Sequence, residues 1–222
     1  MRKGFTFIEL LLAISIFAVV SVMLYSVFNM GITAWRKMEA ILERYQELRL
    51  LTDRMGQELR NALDLDLKES FDTSVETYDF QGVSNKIIFY TLKNGEIRRL
   101  IYSIEQDTEK SKELERDIFL IKRDEKPFIP LPFKEDDFQG EVVFDLVKEL
   151  TFSYLERKSD TEENWFSNWG ETDLQKNNLP TQVKIKIVFF IPQLVPISRK
   201  VDYQEISIEK YVDIVSAKRV LP

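Results

Sequence analysis

The sequence predicts an α+β protein, with one very long N-terminal helix followed by an antiparallel β-sheet domain. Three observations carry this. From Leu10 to Trp35 no residue is charged, a run of about 26 positions, and roughly 20 apolar residues let a helix cross a bilayer core. Apolar residues then recur at spacings of three and four from Met38 to Ala62, the period of an amphipathic helix. Beyond Leu63 the pattern changes to short alternating segments separated by Gly, Pro and Asn-Gly signals, which is how strands and their turns read.

The apolar stretch leads. Arg2, Lys3 and Gly4 precede it, and Phe5 to Phe28 is long enough to span. A cleaved secretory signal would have a shorter apolar centre and a small-residue cleavage site on its far side, and Ser15, Ala18 and Ser21 are too scattered to supply one. Glu9 is the exception inside this stretch. An acid near the centre of a spanning helix costs on the order of 2.5 to 3.5 kcal/mol, which makes it a candidate functional residue that needs a partner.

Gly4-Phe5-Thr6-Phe7-Ile8-Glu9, preceded by Arg2 and Lys3 and followed by the apolar helix, resembles the type III signal of the type IV pilins and pseudopilins. The resemblance implies a leader of residues 1–4 cleaved after Gly4 by a prepilin peptidase, N-methylation of Phe5, and a transmembrane helix over 5–28. It also gives Glu9 its partner: the N-terminal amine of a neighbouring subunit, so that the acid sets the stagger of a helical filament. Such a pair acts as a registry device more than as a source of stability. Orientation follows from this motif, because Arg36, Lys37, Arg44 and Arg49 beyond the span dilute the basic asymmetry of Arg2 and Lys3.

The helix is expected to continue over 29–64. Met38, Ile41, Leu42, Tyr45, Leu48, Leu51, Met55, Leu59 and Ala62 form its apolar stripe, with Arg36, Glu39, Glu43, Glu47, Arg54 and Glu58 off it. Beyond Leu48 the stripe is expected to pack on the chain's own sheet. Gly31 and Gly56 are weak points, each costing up to about 1 kcal/mol relative to alanine, and Gly31 is a place for a bend.

Strands are expected at Thr77–Gln81, Lys86–Leu92 and Ile97–Ile104, the last two joined by the tight turn Asn94-Gly95. Glu105 to Arg116 reads as a solvated loop or hairpin tip, and Asp117–Lys122 as a strand. Pro127, Pro130 and Pro132 are expected to break the ladder. Glu141–Leu146 and Leu150–Leu155 follow as two strands, then a long polar insertion over Arg157–Pro180 that carries Trp165, Phe166 and Trp169. Val183 to Ile191 alternates most clearly and should stop at Pro192, before one or two closing strands over Val201–Val215 with a bulge between Tyr203 and Ile206.

Composition bounds the chemistry. The 222 residues hold 31 basic and 37 acidic side chains, a net charge of -6, which does not support a nucleic-acid groove. Without Cys or His there are no disulfides, thiol nucleophiles, imidazole bases or common zinc ligands. The acidic clusters Asp107–Glu109 and Glu135–Asp137 lack the alternating ligand spacing and turn glycine of a calcium loop, and read as solvated loops. No catalytic, cofactor or metal residue is expected. Trp165 and Trp169 are candidate partner contacts, with packing by their own loop as the alternative.

The order of elements also resembles the J-class minor pseudopilins of type II secretion. The segments carrying this are Asp53–Leu63, Tyr78–Tyr90, the Asn94-Gly95 hairpin, Val147–Tyr154, the Trp165 and Trp169 loop with Leu179-Pro180, and Val183–Phe190. The resemblance implies a β-rich periplasmic domain over 65–222 on an inner-membrane helix. It implies a place at the tip of a short pseudopilus that helps start assembly for export of folded proteins. Implied partners are the I- and K-class minor pseudopilins, the major pseudopilin, the inner-membrane assembly platform and the prepilin peptidase. Glu9 argues against the K class, which lacks that residue. Two other readings are a minor pilin of a type IV pilus, serving adhesion, motility or DNA uptake, and a membrane-anchored periplasmic enzyme.

Overall fold

A computed structural model describes residues 6–64, 80–128, 140–159, 162–171, 175, 178–194 and 201–215. The leader and cleavage site (Arg2, Lys3, Gly4, Phe5), the expected strand start at Thr77–Asp79, Pro130, Pro132, Glu135–Asp137 and Pro196 lie outside these residues.

Helix α1, Phe7–Arg60, is one element of 54 residues, about 80 Å long at 1.5 Å per residue. It runs unbroken through Gly31 and Gly56. Its last turns bury Leu48, Leu51, Thr52, Met55, Gly56 and Leu59, the stripe expected from the spacing. Gly56 is more than a weak point. A Cβ there would stand 3.1 Å from Lys210 Cε and 3.5 Å from Val212 Cγ2, so glycine lets the helix lie close against the sheet. The helix end is tied by Leu63 N–H donating to Tyr90 O at 2.8 Å and Thr91 Oγ1 donating to Asn61 O at 3.1 Å.

The sheet is antiparallel: β1 (Phe80–Val83), β2 (Lys86–Lys93), β3 (Glu96–Gln106), β4 (Phe119–Pro127), β5 (Glu141–Ser159), β6 (Glu162–Phe166), β7 (Gln182–Leu194) and β8 (Val201–Asp213). The order is β1-β2-β3-β4-β5-β7-β8, with β6 also on β5. The β2–β3 turn forms as expected, Asn94 and Gly95 both taking positive φ of 53° and 83°, the geometry that selects Asn-Gly in two-residue hairpins.

Several elements depart from the sequence reading. Thr108–Leu114 is a helix, α2, between β3 and β4, and not a loop; Asp107 caps it by accepting from Lys110 N–H at 3.0 Å. Having no buried residue, it lacks the apolar stripe by which helices are found. The two strands expected over 141–155 are one, β5, in which Leu146 takes a φ of 54° where the pairing with β4 shifts register. The long insertion contributes β6, which pairs with the distal part of β5. β7 does not stop at Pro192, which pairs with Tyr203. Pairing of β7 to β5 has already ended at Phe189, and a proline is tolerated where a strand edge is free of a ladder. β8 has no bulge between Tyr203 and Ile206; Tyr203 points to the face away from the helix and packs edge-on against Phe190 at 6.4 Å, while Ile206 and Ile208 join the core.

One core fills the space between α1 and one face of the sheet. Leu48, Met55 and Leu59 meet Phe89, Tyr102, Phe152, Ile185, Ile187, Phe189 and Val212, all fully buried. β5 is central: β4 and β6 pair with successive parts of one of its edges, and β7 with the other. Between β4 and β6 the β1–β2 turn reaches that edge, where Phe152 N–H donates to Ser84 O at 2.8 Å.

Candidate functional site

Of the residues singled out for function that the structure describes, Glu9 falls in the first turn of α1 and Trp165 and Trp169 on the segment 165–169. At the N-terminus Thr6 is the N-cap of α1 and forms a capping box with Glu9. Glu9 N–H donates to Thr6 Oγ1 at 3.3 Å, while Glu9 Oε2 accepts from Thr6 N–H and Thr6 Oγ1, each at 2.9 Å. The Thr-x-x-Glu pattern is the sequence signal for this, and the reading that looked only for an intermolecular partner missed it. One carboxylate oxygen is thus occupied within the chain. Glu9 itself lies exposed on the helix surface.

From Phe7 to Phe28 the helix carries apolar side chains on every side, Phe7, Leu12, Phe17, Val22, Leu24 and Phe28 among them, all exposed in the single chain. It is the one described helix long and apolar enough to cross a membrane. A helix apolar all round is stable only in lipid or among other apolar helices.

Among the described residues, three ionic contacts hold the rest of α1 to the domain. Arg44 stacks over Phe144, 4.6 Å from the ring centre, and pairs with Asp145, which also binds Lys110 of α2 at 2.6 Å. Burial opposes the Asp145 charge, but the hydrogen bonds from Lys110 and Arg44 outweigh it and hold the carboxyl below its ordinary range. Further along, Asp53 pairs with Lys210 of β8. The deepest contact was invisible in the sequence. Arg123 of β4 is buried and donates to Glu58 of α1 and to Glu125, both at 2.7 Å, with Tyr102 OH at 3.2 Å. Tyr102 OH donates to Glu58 at 2.5 Å. Burial disfavours a charged Arg123, yet the bonds to Glu58 and Glu125 raise its pKa above the ordinary value. Glu125 is drawn down to about 2, burial being outweighed by hydrogen bonds from Lys93 and Arg123. Glu58 lies off the apolar stripe in sequence, and it faces the sheet because the buried Arg123 pairs with it there.

Trp165 and Trp169 part company. Trp169 is buried, pairs by its backbone with Gly82 (3.0 and 2.7 Å) and donates Nε1–H to Asn178 O at 3.0 Å. Its indole packs in the core against Tyr154 and Phe166, the loop-packing alternative of the two readings given to it. Trp165 is 41% exposed and stacks edge-on with Tyr211 at 6.0 Å. Asp107, the first residue of one acidic cluster, is spent as the α2 cap. Among the described residues no group of three or more acidic side chains is arranged to hold a metal ion.

Residues 1–25 match the family model described as the prokaryotic N-terminal methylation motif. This chain has a prepilin-type N-terminus. Motif and fold agree, a long apolar helix followed by an antiparallel sheet being the plan of a type IV pilin-like protein, pilin or pseudopilin. The apolar helix fits the single-pass membrane anchor typical of prepilin-like proteins.

Proposed function

We propose that this chain is a J-class minor pseudopilin of type II secretion, assembling at the tip of a periplasmic pseudopilus that moves folded proteins across the outer membrane. The observation that carries the reading is an anchor helix left bare around its whole circumference from Phe7 to Phe28, headed by Glu9, with only its last turns packed on the domain. A helix built this way is complete only among others like it. In the bilayer the apolar face contacts lipid; in the filament it contacts helices. Prepilin peptidase cuts after Gly4 and the new Phe5 amine is methylated. Glu9, held in its rotamer by Thr6, then receives a neighbour's amine and sets the axial register.

The J-class assignment rests on the segments that resemble that class, three of which meet at Tyr154. Phe80 and Trp169 both pack on Tyr154, at 5.9 and 6.4 Å, while Gly82 lies against its ring and pairs with Trp169. The test is a strain lacking the gene, assayed for exported enzymes in the medium and for surface pili. Export collapses and pili persist on this reading. Intact export with loss of pili or DNA uptake transfers the chain to a type IV pilus. Glu9→Ala separately leaves the protein inserted and processed but poorly incorporated; unchanged recovery in sheared filaments or tip complexes refutes the role given to Glu9.

A further inference from the structure

Leu146 holds a backbone that leucine rarely adopts, with a φ of 54°, and such outliers persist only where the surrounding structure imposes them. It stands in a bulge. Phe119 pairs with Val147 and Ile121 with Phe144, so Asp145 and Leu146 of β5 stand opposite Leu120 alone, the two-against-one count that defines a bulge. Neither has a register partner in β7. Successive side chains of a regular strand point to opposite faces. Here two successive ones meet one group: the Phe144 ring centre lies 4.6 Å from Arg44 Cζ, and the Asp145 carboxylate pairs with the same guanidinium. Arg44 Nη2 also donates to the Asp145 backbone oxygen at 3.0 Å, which the bulge leaves outside the ladder.

The place of this contact gives it leverage. Arg44 lies one turn before Leu48, where full burial of α1 begins. Ile41 and Tyr45 touch the core at the same level, but apolar contact is non-directional, whereas the Arg44 fork fits one orientation. Glu47 holds the other guanidinium nitrogen at 2.8 Å, and Lys110 of α2 holds Asp145 at 2.6 Å, so α1, α2 and β5 are joined at one point. Glu9 lies about 50 Å back along the helix from Arg44 at 1.5 Å per residue. A swing of about 10° at Arg44 would shift Glu9 by about 9 Å relative to the domain, well beyond the about 4 Å over which an ion pair holds.

We infer that Arg44 is a positioning residue, and that the bulge at Leu146 aims Phe144 and Asp145 at it together, fixing the angle at which α1 leaves the domain. The pilin-like reading supplies the purpose: where helices form the core of a filament, that angle decides how each domain is presented around it.

The chain has no cysteine, so two introduced ones can carry nitroxides in the full chain in detergent. Met23→Cys is exposed on α1, about 30 Å before Arg44, and Ser207→Cys is exposed on β8. Pulsed electron resonance then gives one narrow distance distribution for the otherwise natural chain. Arg44→Met at least doubles its width. Asp53→Asn, which weakens the helix's pair with Lys210, leaves it unchanged. Leu146→Gly, which takes a left-handed backbone without strain, also leaves it unchanged, while Leu146→Val, whose branched Cβ resists that backbone, broadens it. Recovery of Arg44→Met in sheared filaments falls, with N-terminal processing intact. An unchanged width or unchanged recovery for Arg44→Met, whatever its unfolding midpoint, overturns the proposal, as does a Leu146→Gly distribution as broad as that of Leu146→Val. If Leu146→Val does not fold, Arg44→Met decides alone. Loss of processing in the natural chain removes the pilin-like reading and leaves the distance result standing.

Discussion

Replacing Arg123 with methionine isolates the contact on which the union of helix and sheet depends most. The guanidinium is 3% exposed and holds Glu58 and Glu125, themselves 17% and 15% exposed. Methionine fills a similar volume but leaves those carboxylates short of a cation. Breaking a buried pair from one side costs about 3 to 5 kcal/mol. The expected loss is at the lower end, about 3 kcal/mol, because Glu125 keeps Lys93 at 2.8 Å and Glu58 keeps Arg54 at 3.2 Å and the Tyr102 hydroxyl. Adding Glu58→Gln removes the stranded charge while leaving Tyr102 an acceptor. The double variant should therefore be less destabilised than the sum of the singles, with a coupling of about 1 to 3 kcal/mol. The assay is urea unfolding of the full chain in detergent, followed by tryptophan emission, since Trp169 is buried in the domain. A loss under about 1 kcal/mol for Arg123→Met, the size of an exposed pair, or coupling near zero, refutes the buried network.

Other outcomes follow from the same packing. Gly82→Ala would set a Cβ 2.1 Å from Tyr154 Cζ, and overpacking a fixed ring costs about 1 to 3 kcal/mol or more; Tyr154→Phe, which keeps the ring, does not rescue it in the same unfolding assay. Met55→Ala empties a fully buried position under the helix and should cost about 2 to 5 kcal/mol. Acid should weaken the domain through Glu125: its folded value of about 2 lies below the ordinary 4.5, so its contribution is complete above about pH 4.5 and lost as pH falls toward 2. Unfolding midpoints measured across that range should fall more steeply for the natural chain than for Glu125→Gln, and parallel curves contradict the assignment.

Much of this architecture was written in local patterns. The helix, its buried stripe beyond Leu48 and the Asn94-Gly95 hairpin each follow from a period or a turn residue that neighbours cannot easily override. Long-range consequences were not. Nothing near Glu58 announces Arg123, 65 positions away, so the sequence places this acid off the apolar stripe without giving its buried partner. Helix α2 is held by a polar cap with no apolar face, and β5 runs on through Leu146 with a left-handed backbone that leucine rarely adopts. Trp169 could be placed only once β1 was known to return to β5. At the N-terminus the motif was legible as a whole, while Thr6 as the internal partner of Glu9 needed the helix start to be seen as a cap.

The most direct test of the account is the intact mass of the protein recovered from native membranes. A chain that has lost Met1 to Gly4 and begins at a Phe5 carrying one added methyl group is the predicted result. A full-length, unmethylated chain, or one cut elsewhere, contradicts it.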